Sequence, residues 1–283
     1  MKELLRESVE KKYAVGAFGA TDHLYAEIIL DAAEEAGKPV VMMVPPFLFD
    51  RPHFERIMKY FVARCEGVSV PVALHLDHGP SFESAMTAIR YGCSSVMFDG
   101  SSLPFEENIA KTREVVRAAH ACGVSVEAEI GHVSGHEGNM LEGNIVDDSK
   151  FTNVEDAVRF AEETEVDALA IAVGTVHGVY KGEPKLDYDR IEKIRAAVKV
   201  PLVLHGGSGL SDEMFRKAVA CGINKINFCT EVSLAGGARA RAYVNDRAGK
   251  NIALDALVTD ALIDAKAEIS KHIDVFGTQE LAL

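Results

Sequence analysis

Cysteine is sparse and carries no pattern. Cys65, Cys93, Cys122, Cys221 and Cys229 are odd in number and scattered over 283 residues, with no C-x-x-C pair among them. That excludes a zinc knuckle and a redox dithiol, and the thiols are expected to be reduced, small core residues of a cytoplasmic protein. Long apolar runs are missing as well. The longest, Val40 to Phe49, is broken by Pro45 and Pro46 and falls far short of the ~20 residues that span a bilayer, so no membrane partner is expected. Met1 to Lys12 alternates charge with leucine and has no uninterrupted apolar stretch, which argues against a secretory leader. Positive charge is in deficit: 30 Lys and Arg face 43 Asp and Glu, a net charge of −13. A nucleic-acid partner is disfavoured on that ground. With 48% hydrophobic and 26% charged residues, a chain of this length can bury roughly 75% of its unfolded surface without disulfides or other staples.

Short apolar or β-branched runs recur along the chain, each followed by a turn and a helical pattern. They cover Ala14 to Phe18, Lys38 to Val44, Val70 to Leu76, Ser95 to Phe98, Val124 to Glu129, Ala168 to Val173, Val200 to Leu204 and Ile223 to Phe228. Such spacing belongs to βα units, in which a helix returns the chain to a parallel neighbour. Eight of them predict an α/β fold of the (β/α)8 TIM-barrel type, a single domain over 1–283 with a C-terminal helical extension from Ile252 to Ile273. An open doubly wound sheet is the alternative, but no strand leads into G-x-G-x-x-G with an acidic residue beyond it. Asp22 and Ser211 read as helix N-caps, and Gly37, Gly92, Gly123 and Gly222 as left-handed helix ends. The longest interval between strands holds the glycine-rich stretch 131–152, expected to be a mobile active-site loop. The C-terminal extension is expected to pack on the barrel or on a second subunit of a homodimer or homotetramer.

Working residues of such a barrel sit at the C-terminal ends of its strands. Three of those ends carry histidine: His78 in His75-Leu76-Asp77-His78-Gly79, His177 in Gly174-Thr175-Val176-His177-Gly178, and His205 in Leu204-His205-Gly206-Gly207. One such histidine would be read as a hydrogen-bonded structural residue. Three on one rim match a catalytic zinc with an open position for water or a substrate oxygen. Asp77, on the strand face of His75, is the acid/base candidate, with a carboxylate that merely orients a ligating imidazole as the alternative. Asp99 and Glu129 end the fourth and fifth strands and could hold a second cation, or another position of the first, or bond the imidazoles. After the last two strands, Gly206-Gly207-Ser208-Gly209 and Asn227-Phe228-Cys229-Thr230 resemble a phosphate cradle of backbone N–H groups and a helix N-terminus. Lys181 is a candidate counter-charge there.

These segments, together with Met97-Phe98-Asp99-Gly100-Ser101-Ser102-Leu103-Pro104-Phe105-Glu106-Glu107-Asn108-Ile109, resemble the class II, metal-dependent fructose-bisphosphate and tagatose-bisphosphate aldolases over essentially the whole chain. The resemblance implies reversible retro-aldol cleavage of a ketose 1,6-bisphosphate, of the fructose or tagatose type, to dihydroxyacetone phosphate and an aldehyde. Zinc would stabilise the enediolate, in place of a lysine Schiff base. It assigns His78, His177 and His205 to one Zn2+ per chain, and Asp77 to the aldehyde oxygen and the C4 hydroxyl. Glu137 takes the C3 proton, with Glu142 in reserve. Gly178, Gly206, Ser208, Asn227 and Thr230 bind the dihydroxyacetone phosphate end, Asn227 at the enediolate, with Na+ or K+ assisting at the phosphate.

Three departures bear on the aldehyde half. Phe18-Gly19-Ala20-Thr21-Asp22 stands where relatives read Phe-Asn-x-x-Asn, Ser101-Ser102 replaces Ser-His, and the residues from Phe276 to Leu283 lack the usual basic clamp for a second phosphate. The same chemistry on a different ketose 1-phosphate is therefore kept in view. A zinc hydrolase would use the same donors, and a non-catalytic barrel would have lost them.

Overall fold

The computed structural model describes residues 1–135 and 146–281. Eight parallel strands close a barrel in sequence order: β1 (Val15–Gly19), β2 (Val40–Val44), β3 (Val72–Gly79), β4 (Ser95–Phe98), β5 (Ser125–Ile130), β6 (Ala168–Ile171), β7 (Leu202–Leu204) and β8 (Ile223–Asn227). Each predicted run supplies one strand, with ends displaced by up to three residues. β1 and β8 complete the ring with Val15 opposite Lys225 and Ala17 opposite Asn227.

A helix follows each strand: α1 (His23–Ala36), α2 (Phe54–Glu66), α3 (Phe82–Arg90), α4 (Phe105–Ala121), α5 (Val154–Thr164), α6 (Tyr188–Ala197), α7 (Asp212–Cys221) and α8 (Thr230–Asn245). Their ends obey local chemistry. The Asp22 carboxylate accepts from the N–H groups of Leu24 and Tyr25 at 2.9 and 3.0 Å, while Gly37 ends α1 at φ +64°. Ser211 accepts from Met214 N–H and starts α7. One further helix, α9 (Leu254–Val275), packs on α8 and α1. Behind it the chain is pinned to the start of β1, where Thr278 Oγ1 donates to Ala14 O at 2.7 Å.

Strand alternation sorts the side chains into two populations. Leu74, Leu76, Val96, Val126, Leu204 and Ile226 face outward and bury against the helices. Val15, Ala17, Val41, Met43, Ala73 and Val203 face inward, and Met1, Leu4, Leu5 and Tyr13 close the barrel from below. The upper interior is polar: His75, Asp77, Glu127, Glu129, His205, Lys225 and Asn227 are all buried. Among the described residues no helix is long and apolar enough to cross a membrane. The cysteines depart from expectation in part: Cys93 and Cys221 are buried, but Cys122, at the end of α4, is exposed.

Candidate active site

His78 lies inside β3 rather than after it, and the strand is irregular there. Its φ is +44°, a conformation that costs an L-residue of order 1–3 kcal/mol, and the β3–β4 register shifts between Leu76 and Gly79. The irregularity is locked by close packing, since a Cβ on Gly79 would stand 2.5 Å from the Met97 carbonyl oxygen. It re-aims the imidazole toward the mouth, where His78 Nδ1 lies 2.8 Å from Asp99 Oδ2.

His205, on the loop leaving β7, comes from the far side of the barrel. Its Nε2 lies 2.9 Å from Glu127 Oε1, and its Nδ1 lies 3.0 Å from His78 Nε2 and 3.3 Å from Glu129 Oε2. Ionised carboxylates only accept, so the Asp99 and Glu127 contacts place protons on His78 Nδ1 and His205 Nε2. The Glu129 carboxylate makes the same demand on His205 Nδ1, whose N–H is then shared with His78 Nε2 at 3.0 Å. The two facing nitrogens are also close enough to serve one metal ion together.

His177 completes the cluster, with ring centroids 4.8 Å from His78 and 5.9 Å from His205. Its backbone N–H donates to Ser134 O at 2.8 Å, which ties the loop after β6 to the start of the 131–152 stretch. The three imidazoles offer nitrogens all within 4.8 Å of one another, and a second set, His78, Asp99 and Glu129, does the same. Three neutral nitrogen donors suit zinc, and the carboxylate-backed rings fit the usual second layer of such a site. Asp77 joins the same mouth: its Oδ1 accepts from Asn227 Nδ2 at 3.0 Å.

Electrostatics follow from this crowding. Burial alone would raise the Asp99 and Glu127 carboxyls, but His78 and Ser101 on the first, and Lys225 and His205 on the second, hold both well below the usual carboxylate range. Burial pushes His177 well below the ordinary histidine value, and the neighbouring imidazoles push it the same way. Burial opposes the charged form of His205 too, yet the Glu127 and Glu129 hydrogen bonds outweigh it and raise the ring to about 9.

A cavity of about 760 Å³ opens here, lined by Asp77, His78, Asp99, Glu129 and His177 among others, a size suited to a small metabolite. Tyr25, Met43, Pro45 and Phe47 give it an apolar stretch, and no lysine or arginine is among its described lining residues.

The candidate phosphate cradle is assembled from β7, β8 and α8. Gly206 has φ +66°, and a Cβ there would stand 2.4 Å from Val176 O, so the loops after β6 and β7 touch through it. Tyr180 OH bridges the same loops, donating to Gly206 O at 2.8 Å and accepting from Val176 N–H at 3.2 Å. Ser208 Oγ accepts from Glu231 N–H in the first turn of α8, and Gly178 and Gly207 are buried beside these segments. Cys229 and Thr230 reach the cavity, whereas Lys181 is exposed and outside its lining. The Phe228 ring turns away from the mouth into the aromatic layer under α9, stacked on His272 at 3.8 Å, and its backbone N–H is committed to Ala17 O. Glu137 and Glu142 lie outside the described residues.

Sequence reasoning passed over Glu127, Lys225, His132 and Tyr180. His132, which fills part of the cavity wall, lies 3.2 Å from Ser101 Oγ through its Nδ1. For Glu127 and Lys225 a signal existed: in Glu127-Ala128-Glu129 and Lys225-Ile226-Asn227 polar residues alternate with apolar ones inside a strand, which puts both on the interior face.

A closed βα barrel with three imidazoles and carboxylates converging at its C-terminal mouth is the architecture of a metal-assisted enzyme. The profile for "Fructose-bisphosphate aldolase class-II" matches residues 1–280, and the chain belongs to that family, which makes it an aldehyde-lyase. It is 40% identical to 6-phospho-5-dehydro-2-deoxy-D-gluconate aldolase of Shouchella clausii, over all of this chain (100%) and 95% of that one. With fructose-bisphosphate aldolase of Geobacillus stearothermophilus the identity is 44%, over 83% and 82% of the two chains. The crystal structure of the YdjI aldolase from Escherichia coli K12 superposes with a TM-score of 0.86 at 33% identity, covering 98% of this chain and 96% of that one.

Proposed function

We propose that the protein is a zinc-dependent aldolase that reversibly cleaves a ketose 1-phosphate, a variant of the fructose and tagatose bisphosphates, into dihydroxyacetone phosphate and an aldehyde. One observation carries the reading: the ring nitrogens of His78, His177 and His205, all within 4.8 Å of one another, form a seat for a divalent cation next to the buried carboxylate of Asp77. When bound there, zinc supplies a Lewis acid for the ketose oxygens. His78, His177 and His205 would hold it, with Asp99 and Glu129 in reach of a second position.

The chain's own groups divide the remaining work. Asp77, oriented by the Asn227 amide, takes the proton from the C4 hydroxyl in cleavage and returns it in condensation. Glu137 would move the C3 proton. The backbone of Gly178 and of Gly206 to Ser208, with Thr230 at the positive end of α8, would receive the phosphate, with a monovalent cation assisting.

The aldehyde half is proposed to lack a second phosphate. The relatives' names already span a bisphosphate and a deoxygluconate phosphate, and the cavity offers apolar surface and the His132–Ser101 pair but no permanent cation among its described lining residues. Steady-state kinetics on fructose and tagatose 1,6-bisphosphates against ketose 1-phosphates test this. Preference for the monophosphates is expected, and a large preference for either bisphosphate overturns it.

A further inference from the structure

Halfway down the barrel axis, between the apolar floor and the histidine cluster, sits a lysine with no solvent exposure, Lys225. Its ammonium lies 2.9 Å from Glu127 Oε2 and 3.2 Å from Glu127 Oε1, and donates to Asn227 Oδ1 at 2.7 Å. Barrel interiors of this type are ordinarily filled by branched aliphatic side chains. A buried ion pair is poor stabilisation, because the desolvation of two charges consumes most of their attraction and an apolar pair of equal volume does as well. What the pair does provide is direction.

An ammonium has three donors and no acceptor, whereas a carboxamide has a donor end and an acceptor end of nearly equal shape. Facing Lys225, the Asn227 side chain has one favourable orientation, oxygen toward the ammonium. Its nitrogen is thereby aimed at Asp77, 3.0 Å away. The flipped amide would set its NH2 against an ammonium and its oxygen against a carboxylate, unfavourable at both ends. On the other side, the same ammonium holds Glu127 so that Oε1 meets His205 Nε2 at 2.9 Å. That contact turns His205 Nδ1 toward His78.

We propose that Lys225 is a positioning residue for both halves of the site, aligning the proton-transfer carboxylate Asp77 through Asn227 and the His205 ring through Glu127. It is absent from the described cavity lining and acts only through these neighbours. The inference rests on the roles given above to Asp77 and His205.

The test uses Lys225→Met and the charge-balanced Lys225→Met/Glu127→Gln, the second guarding against misfolding from a stranded carboxylate. Zinc affinity is read by chelator competition, and kcat and KM at saturating zinc on the ketose phosphate that the wild type cleaves. Loss of the Glu127 arm should weaken zinc about 10- to 100-fold, the usual effect of removing an outer-shell partner. With zinc restored, kcat should stay down by roughly tenfold or more while KM moves little, because the Asn227 arm is still missing. A cycle with Asp77→Ala separates alignment from packing: Lys225→Met should cost little further rate once Asp77 is gone. Wild-type zinc affinity, wild-type kcat at saturating zinc, or a rate cost undiminished in the Asp77→Ala background would each overturn the proposal. Zinc affinity is read without turnover, so a wild type that binds zinc yet cleaves no ketose phosphate would sink the aldolase reading separately.

Discussion

At the amino-terminal end of the strands, Leu5 and Tyr13 are at most 1% exposed, and the buried Asp167 is fully served: Val126 N–H donates to it at 2.9 Å, His120 Nε2 lies 2.8 Å away, and Lys2 Nζ 2.9 Å. At the carboxyl-terminal end, His78, His205, Glu127 and Glu129 satisfy one another only by sharing, with two imidazole nitrogens confronting each other at 3.0 Å. Both ends bury charge. The floor spends its polar contacts on closing the barrel, while the mouth gathers imidazole and carboxylate donors close enough to hold a cation. Changes at the floor should therefore register as stability, and changes at the mouth as chemistry.

The sharpest break between the two ends is removal of the metal. Dialysis against a strong chelator should abolish cleavage, and added zinc should restore it, with the fold intact throughout by circular dichroism; full-speed cleavage after chelation would erase the contrast. Asp77→Ala comes next, with an expected loss of ~10² to 10⁴ in rate. Zinc content should stay near the wild-type value and thermal unfolding should be little changed. Unchanged turnover would take Asp77 out of the chemistry.

At the floor, Asp167→Ala strands the buried Val126 N–H, while the exposed Lys2 ammonium returns to water, and should destabilise by about 1–3 kcal/mol, measured by urea unfolding. Its kcat per folded molecule should match wild type. The pH dependence of that loss has a definite sign. Burial would raise the Asp167 carboxyl, but Lys2, Val126 N–H and His120 together lower it. A carboxyl depressed in the native state stabilises above its unfolded pKa, near 3.9, and loses that contribution as pH falls through the native value. The stability gap between wild type and Asp167→Asn should accordingly be largest near neutrality and shrink below about pH 4. Lys181→Met marks the small end of the scale. Its charge is exposed and off the cavity lining, so a rise in KM of no more than about threefold is expected.

Much of this was legible in the sequence because it rests on short-range physics. Short apolar runs separated by capped helices specify eight βα units, and the caps at Asp22, Ser211, Gly37 and Gly222 act within a few residues of themselves. The histidines at 78, 177 and 205 and the carboxylate at 77 stood out through their positions at strand ends. Glu127 and Lys225 did not: alternation within their strands puts both on the interior face, but only closure of the barrel brings these residues, 98 positions apart, to 2.9 Å. Phe228 shows the converse. Its neighbours Asn227 and Cys229 belong to the mouth, yet strand alternation sends its ring outward to His272 and Phe276, a partner surface supplied by α9 from the end of the chain.

The sequence by itself determined that this would be a βα barrel with imidazole and carboxylate donors at one rim, because periodicity, capping and strand-end motifs are local properties, and its motifs carried the resemblance to the class II aldolases. Only the tertiary structure decided which nitrogens confront each other, which carboxylate backs which ring, and that a buried lysine orients both halves of the site. Those relations depend on closure of β1 against β8 and on the irregular turn at His78. They arise from contacts distant in sequence, whose distances and directions no local pattern encodes.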